Sequence, residues 1–275
     1  MRARYIGASV LVALTVAAAI LVGMIAPASG QAQSSPFPRT ADGKPNLTGI
    51  WQAMNTANWD IQAHEARQGP VVALGAAFSV QPGAGVVEGN DIPYLPEAAA
   101  KKKENGENWL SRDPEIKCYM PGIPRATYMP FPFQIVQSTS TILMAYEFAT
   151  ASRVVRMNSA EKSPAPAWMG WSIGRWDGDT LVIDVTDQME DTWFDRAGNF
   201  HSDELHVIER YSFIDRNTLN YEATIEDTKV FSRPWKMSMP LYRRLEKNAQ
   251  LMEYKCVPFV EELMYGHLRK RPIAR

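Results

Sequence analysis

The densest group of side chains that could do chemistry lies in residues 193–210. Two of the chain's four histidines, His201 and His206, stand here among four carboxylates. Histidine is the side chain whose ordinary pKa lies nearest to neutral pH, so a histidine beside carboxylates is suited to donate and accept protons. These residue types favour a satisfied structural cluster, and general acid–base chemistry is the functional alternative.

A strand over residues 205–211 limits which of these side chains can cooperate. Neighbouring residues of a strand alternate between its two faces, so His206 and Glu209 point apart. His201 and Asp203 precede the strand on a loop that can turn towards the mouth of a barrel. We therefore expect a catalytic group of His201, Asp203 and His206. In it, His206 acts as acid or base and Asp203 fixes its tautomer.

Such a group suits cofactor-independent proton transfer, as in a hydrolase, lyase or isomerase step. Metal binding is the other chemistry that these residue types allow, because two histidines and a carboxylate suit zinc or non-haem iron. The spacing His-x-Asp-x-x-His, however, matches no strong metal-binding signature. The sequence therefore predicts no metal and no cofactor.

Aromatic side chains are concentrated in the same half of the chain. Five of the eight tryptophans fall within residues 168–235. In a barrel, inward-facing aromatic side chains can line a cavity that holds a ring-bearing or lipid-like molecule. The sequence favours the simpler interpretation that they fill the core, because aromatic side chains favour strands. The ligand-binding residues that we predict are Trp171, Trp193, Asp195 and Tyr211.

Alternation of apolar and polar residues begins at Phe133 and continues along most of the following chain. The turn Asp177-Gly-Asp separates two alternating runs and is typical of a tight hairpin. Residues 205–226 predict a further hairpin, and residues 242–246 with 251–256 predict the last one. Consecutive hairpins indicate a mainly β fold, either an antiparallel up-and-down barrel or a sandwich.

The segments that flank this region predict little regular structure. Residues 55–90 are poorly patterned, and residues 109–132 are dense in proline, which interrupts helices and central strands. A short helix is predicted around Glu97, and a short amphipathic helix is predicted over residues 260–271. The β fold therefore carries an irregular N-terminal region and a short C-terminal helix.

The beginning of the chain differs in composition from the rest. Two arginines precede a long uncharged apolar run, and small residues follow it, which is typical of a secretory signal. The run is also long enough for a retained N-terminal membrane anchor. Either segment places the remaining chain in the periplasm or outside the cell. We predict a signal peptide or anchor at 1–32, a flexible leader at 33–45 and a single β domain at 46–275.

The formal net charge of the chain is −1. A nearly neutral chain has no long-range field that would attract nucleic acid or an acidic membrane. We therefore expect a small-molecule ligand, no nucleic-acid partner, and contact with a membrane only through an uncleaved N-terminal segment.

Cys118 and Cys256 are the only cysteines in the chain. In an oxidising compartment, two cysteines of one exported domain are more often paired than free. The sequence predicts a Cys118–Cys256 disulfide, and two buried thiols that never meet are the alternative.

Three motifs together resemble those of a large group of exported bacterial proteins of uncharacterised activity. They lie at residues 42–51 (DGKPNLTGIW), 173–184 (IGRWDGDTLVID) and 201–211 (HSDELHVIERY). The resemblance covers most of the chain after its first segment and implies a lipocalin-like barrel and export. It implies no catalytic residues.

Taken together, these features predict an exported β-barrel protein that binds a small, largely apolar or aromatic molecule. If it is an enzyme, the three-residue group at His201, Asp203 and His206 would carry its chemistry. A carrier or sensor without catalysis, or an envelope protein that interacts with another protein, are the alternatives.

Overall fold

Nine strands close into a barrel in the computed structural model, which describes residues 37–269. Every strand pairs with its neighbours along the chain, and the first strand pairs with the last, so the barrel has no open edge. The predicted mainly β barrel is confirmed. The strands are β1 (Gly49–Ala53), β2 (Phe133–Gln137), β3 (Thr141–Tyr146), β4 (Ser152–Met157), β5 (Trp171–Asp177), β6 (Thr180–Thr186), β7 (His206–Asp215), β8 (Thr218–Glu226) and β9 (Trp235–Arg243).

The predicted hairpins at Asp177 and within residues 205–226 are present. Gly178 has a φ of 59°, a conformation that glycine adopts readily, and it lets β5 turn directly into β6. Between β7 and β8, the Asp215 carboxylate accepts a hydrogen bond of 2.8 Å from the backbone N–H of Asn217. Buried and partly exposed residues alternate along β8, as expected for a wall with one face towards the core.

One strand pair departs from the antiparallel pattern. β4 and β5 are parallel, with Val155 opposite Ser172, whereas all other neighbouring strands are antiparallel. A parallel pair needs a connection that returns to the end where the first strand began. Residues 158–170 make this connection, so the barrel is mixed rather than purely up-and-down.

The predicted last hairpin, residues 242–246 with 251–256, is wrong. The final strand is β9, which ends at Arg243, and residues 251–256 form no strand. In the sequence, Pro234 and Pro240 argue against a strand over residues 235–243. In the structure, Pro240 lies in β9, where it pairs with Asn220 of β8 and has no partner on β1. A proline is tolerated there because no strand on that side needs its missing N–H.

Within residues 37–269, four α-helices and several short 3-10 turns accompany the barrel. The predicted helix around Glu97 and the predicted C-terminal helix are both present. The C-terminal helix continues into a 3-10 turn at Gly266–Leu268. The helices are α1 (Pro96–Glu107), α2 (Trp109–Arg112), α3 (Arg125–Tyr128) and α4 (Val260–Tyr265), and the other 3-10 turns are Val72–Phe78, Glu88–Asn90 and Phe148–Thr150.

The predicted disulfide is confirmed. Cys118 and Cys256 are bonded, their Cα atoms are 5.7 Å apart, and 138 positions separate them in the sequence. The bridge ties the proline-dense loop after α2 to the segment that leads into α4. A disulfide agrees with the predicted periplasmic or secreted location, because such bonds persist in oxidising compartments.

The N-terminal segments that the sequence predicts lie largely outside the described residues. The predicted signal peptide or anchor at 1–32 is not among them, and neither are residues 33–36 of the predicted leader. From residue 37 onward the chain contacts the barrel: Phe37 stacks on Phe213 at 4.9 Å, and Arg39 forms an ion pair with Asp179. Among the helices of residues 37–269, none combines the length and the hydrophobicity that a membrane-spanning helix requires.

Candidate functional site

His201 lies on the loop before β7 and is almost fully buried. Its Nδ1 is 2.8 Å from the carbonyl oxygen of Ser202, which can only accept, so Nδ1 carries the proton. Its Nε2 then accepts a hydrogen bond of 2.7 Å from the hydroxyl of Thr192. Burial lowers the pKa of His201, which keeps the ring neutral. Both ring nitrogens are therefore occupied by protein groups, as in a structural histidine.

His206 and Asp203 are held elsewhere. His206 begins β7 and lies on the outer face of the wall, with its ring nitrogens 3.0 Å from Glu226 and 3.3 Å from Asp184. Asp203 is exposed and pairs with Lys229 at 2.7 Å. The structure does not bring the three predicted catalytic side chains to one place. His206 is oriented by Glu226 and Asp184, and not by Asp203. The catalytic role assigned to them stays a prediction.

The four predicted ligand-binding residues lie in three different places. Trp171 is on the outer face of β5, where the guanidinium of Arg156 stacks on its ring at 3.7 Å. Tyr211 points into the barrel and is fully buried. Trp193 and Asp195 lie on the loop between β6 and β7, and Asp195 is fully buried there. Their role in binding stays a prediction, but they do not share one cavity wall.

The centre of the barrel holds an ion pair that the sequence interpretation missed. Arg153 of β4 donates two hydrogen bonds to Glu209 of β7, at 2.6 and 3.0 Å. The hydroxyls of Tyr211 and Tyr221 donate to the same carboxylate at 3.0 and 2.9 Å. All four side chains are buried, so this network occupies the space where a ligand of the barrel interior was expected.

A cleft lies instead among the segments outside the barrel wall. Its volume is about 430 Å³, and none of the residues that line it belongs to a strand. The residues come from three parts of the chain: the segment before α1, helices α1 and α2, and the loop between β6 and β7. We call it the tryptophan cleft, after the two indoles in its wall; the residues that matter below are Trp59, Asp60, Arg67, Lys102, Trp109 and Arg196.

Two tryptophans and one arginine pack against one another in the cleft wall. Trp59 and Trp109 meet edge to face, with ring centroids 5.6 Å apart. The guanidinium of Arg196 lies 4.4 Å from the first ring and 4.9 Å from the second. Cation–π contacts of this kind hold both the rings and the charge in place.

Arg196 is also fixed from behind by a carboxylate. Glu115 accepts two hydrogen bonds of 2.8 Å from Arg196 and a third of 2.8 Å from the buried Arg125. Burial alone would raise the pKa of Glu115, but the two guanidinium groups outweigh it and lower the pKa to about 2. The charge of Arg196 is therefore permanent and its position is preorganised.

A pair of carboxyl groups adjoins the cleft. Asp60 lines it, and the buried Asp195 lies behind, where it accepts a hydrogen bond of 2.9 Å from the N–H of Ile61. Burial and the negative charge of Asp60 raise the pKa of Asp195 to about 7. Two further N–H donors from Asn199 favour the ionised form without cancelling this rise. Asp195 can therefore exchange a proton near neutral pH.

Cationic side chains outnumber anionic ones in the cleft wall. Arg67, Lys102, Lys103 and Arg196 face Asp60 and Glu107. Asp60 is within 3.7 Å of Arg67, and Lys103 is within 3.9 Å of Glu107. Arg196 is neutralised from behind by Glu115, so the positive charge of Lys102 remains in excess, and a low-dielectric wall of indoles strengthens its attraction for an anion.

The sequence contained only weak signals for this cleft. Trp59 stands in a poorly patterned segment, Trp109 in the proline-dense one, and Arg196 next to the predicted Asp195. Nothing in the spacing of the three residues indicates that they meet. Within residues 37–269, no three His, Cys, Asp or Glu side chains are placed so that they could hold a metal ion.

No family model matches the chain, and no curated protein or solved structure matches it significantly.

Proposed function

We propose that this protein is a small-molecule binding protein whose site is the tryptophan cleft. The observation that carries the proposal is the convergence of Trp59, Trp109 and Arg196 on one cleft, with Arg196 stacked on both rings. Rigid aromatic side chains with a few fixed polar groups are the usual composition of a ligand pocket, and the volume of about 430 Å³ is within the usual range.

The chemistry of the wall favours a small aromatic acid as the ligand. Indole faces stack on planar rings, and the excess positive charge of Lys102 attracts an acidic group. This refines the expectation of a largely apolar guest. The barrel interior is a weaker candidate because Arg153, Glu209 and their tyrosines fill its centre.

Calorimetric titration with 1-naphthoate, and with 1-naphthylmethanol as its uncharged counterpart, tests the proposal. We expect binding of the acid, weaker binding of the alcohol, and a dissociation constant about tenfold higher in Trp109→Leu. The matched control is Trp171→Leu, which removes the indole on the outer wall and should leave binding unchanged. Absence of binding at millimolar acid, or equal losses in both variants, contradicts the proposal.

Proton-transfer catalysis in the same cleft is the second candidate, favoured by the carboxyl pair of Asp60 and Asp195. Asp60 faces the cleft, and Asp195 changes protonation near neutral pH. Groups with these properties suit acid–base catalysis. This candidate mechanism differs from the sequence-based hypothesis because it uses two aspartates in place of the histidines.

Deuterium incorporation into phenylpyruvate, an aromatic acid with an exchangeable C–H, tests the second candidate by NMR in D₂O. We expect exchange faster than the uncatalysed rate, lost in Asp60→Asn with retained binding. The corresponding control is His206→Gln, which should exchange as the unmodified protein does. If the histidine variant alone loses exchange, the histidine cluster is the catalytic group instead.

A further inference from the structure

Three consecutive lysines on α1 differ in the charges that stand near them. Residues three or four positions apart on a helix are neighbours on its surface. The neighbours of Lys102 at these spacings are all uncharged; they are Ala98, Ala99, Asn105 and Gly106. Lys101 has Glu97 four positions before it. Lys103 has Glu107 four positions after it, at 3.9 Å. Lys102 is therefore the one lysine of the three whose charge the helix does not balance.

Contacts with other parts of the chain do not balance the charge of Lys102 either. Each of the other cations in the wall of the tryptophan cleft lies beside a carboxylate; the pairs are Arg67 with Asp60, Lys103 with Glu107, and Arg196 with Glu115. Among the residues that the structure describes, no carboxylate lies within 4.0 Å of the Lys102 ammonium. The Lys102 side chain is half-buried and lines the cleft. Its charge is therefore available to a bound molecule.

Two glycines hold the helix that carries Lys102 close to the loop that carries Arg196. A Cβ atom at Gly198 would lie 2.5 Å from the carbonyl oxygen of Lys102. A Cβ atom at Gly106 would lie 2.5 Å from the carbonyl oxygen of Ala197. The backbones of α1 and the loop are therefore in contact, with no room for a side chain between them. This contact fixes the backbone of Lys102 relative to the arginine that stacks on the two indoles.

We propose that Lys102 recognises the acidic group of the ligand, and that the cleft therefore selects an aromatic monoacid. The inference rests on the proposed binding function and deepens it. One unpaired cation can neutralise one carboxylate, so a second carboxylate on the same ligand would lose water without gaining a partner. An aromatic amine would place a like charge beside the ammonium. Lys102 is in this way a specificity-determining residue, whereas the indoles bind the ring whatever its charge.

Four naphthalenes that differ in charge test the inference by calorimetric titration at neutral pH. They are 1-naphthoate, naphthalene-1,4-dicarboxylate, 1-naphthylmethanol and 1-naphthylmethylammonium. We expect the monoacid to bind about tenfold more tightly than the alcohol, as one hydrogen bond between charged groups would provide. The diacid should bind no more tightly than the alcohol, because its second carboxylate meets no free cation. The amine should bind most weakly.

Variants at residue 102 separate recognition by this lysine from a general effect of charge. In Lys102→Glu the order should invert, so that the amine binds more tightly than the monoacid. Lys102→Met should bind the monoacid and the alcohol alike, and Lys102→Arg should keep the preference of the unmodified protein. The matched control is Lys101→Glu, which changes the net charge equally at the neighbouring position. The ammonium of Lys101 lies over the ring of Phe200, 4.5 Å from its centroid, and Lys101 does not line the cleft. Its variant should keep the preference for the monoacid.

The outcomes that contradict this inference differ from those that contradict the proposed function. If the naphthalenes bind without regard to charge, or if Lys101→Glu inverts the order as well, the role of Lys102 is overturned while the cleft remains a binding site. Tighter binding of the diacid than of the monoacid overturns the selection of a monoacid, because a second cation must then be available. If none of the four compounds binds the unmodified protein, the proposed function fails, and the role of Lys102 fails with it.

Discussion

At the scale of single residues, burial and hydrogen-bond partners decide which ionisable groups can do chemistry. His201 is neutral and has both ring nitrogens engaged by Ser202 and Thr192, so it holds the loop together. His206 is accessible, but only on the outer face of the wall. Asp195, beside Asp60 and the cleft, is the group whose pKa moves close to neutral pH.

The raised pKa of Asp195 predicts a specific pH dependence of stability. The unfolded carboxyl ionises near pH 4, whereas the folded one retains its proton up to a pH of about 7. Between these values the folded state binds more protons, so the contribution of this group to stability falls as pH rises. The free energy of unfolding relative to Asp195→Asn should decline from pH 4 to pH 7 and be level above that, as measured by urea denaturation.

A suitable comparison is Asp203→Asn, which alters an exposed carboxyl whose pKa is lowered by its hydrogen bond to Lys229. That group contributes stability above its unfolded pKa and loses it only in acid, so its variant should show no trend between pH 5 and pH 7. A flat difference for Asp195→Asn over the same range would contradict the assigned pKa.

At the scale of elements, the segments that are not part of the barrel wall are held in place by contacts between residues that are distant in the sequence. The region before α4 forms no strand, but Tyr254 packs on Phe131 and Phe148, and the bridge at Cys256 fixes it to Cys118. These contacts hold α4 against Arg196 and thereby against the tryptophan cleft.

Removing the disulfide should destabilise the protein substantially. A bridge that closes a loop of 138 positions is worth about 5 kcal/mol in the chain-entropy model. We expect Cys118→Ser/Cys256→Ser to lower the urea midpoint, and the unmodified protein in reductant to approach the same midpoint. The variant itself should not respond to reductant. Equal midpoints for oxidised protein and variant would show that the bridge adds no stability.

At the scale of the whole molecule, closure of the wall creates an interior that must be filled with side chains, and any charged or polar group in it needs a partner. Arg153 and Glu209 meet there from β4 and β7, and tyrosines from β7 and β8 complete the carboxylate's hydrogen bonds. Tyr146 of β3 accepts a further bond of 3.1 Å from Arg153. The network therefore ties opposite parts of the barrel together.

Breaking this ion pair should be costly, because it leaves a buried charge without its partner. We expect Arg153→Met to lower the free energy of unfolding by about 3–5 kcal/mol, and Arg153→Met/Glu209→Gln to recover part of the loss. The control is Arg175→Met, which breaks a pair with Asp184 in which the arginine is 54% exposed; exposed pairs contribute less than about 1 kcal/mol. A smaller loss in Arg153→Met than in the control would contradict the role of the network.

The sequence by itself determined the features that follow from local pattern or from simple counting. Alternation along β7 and β8 fixed which residues share a face, and Asp177-Gly-Asp fixed a turn, because both depend only on neighbouring residues. Two cysteines allow only one pairing, so the sequence named the two partners, and the structure decided that they meet. The mainly β fold, as a barrel or a sandwich, and the short terminal helix followed in the same way.

Only the tertiary structure decided which face of the wall is inside and which distant segments meet. His206 lies outside because the register of β6, β7 and β8 turns Glu209 inward, and a one-residue change in register would reverse this. The tryptophan cleft joins Trp59, Trp109 and Arg196 from segments without periodicity, whose positions depend on packing against the finished barrel. Contacts between such segments leave no pattern in the sequence, because local spacing carries no information about them.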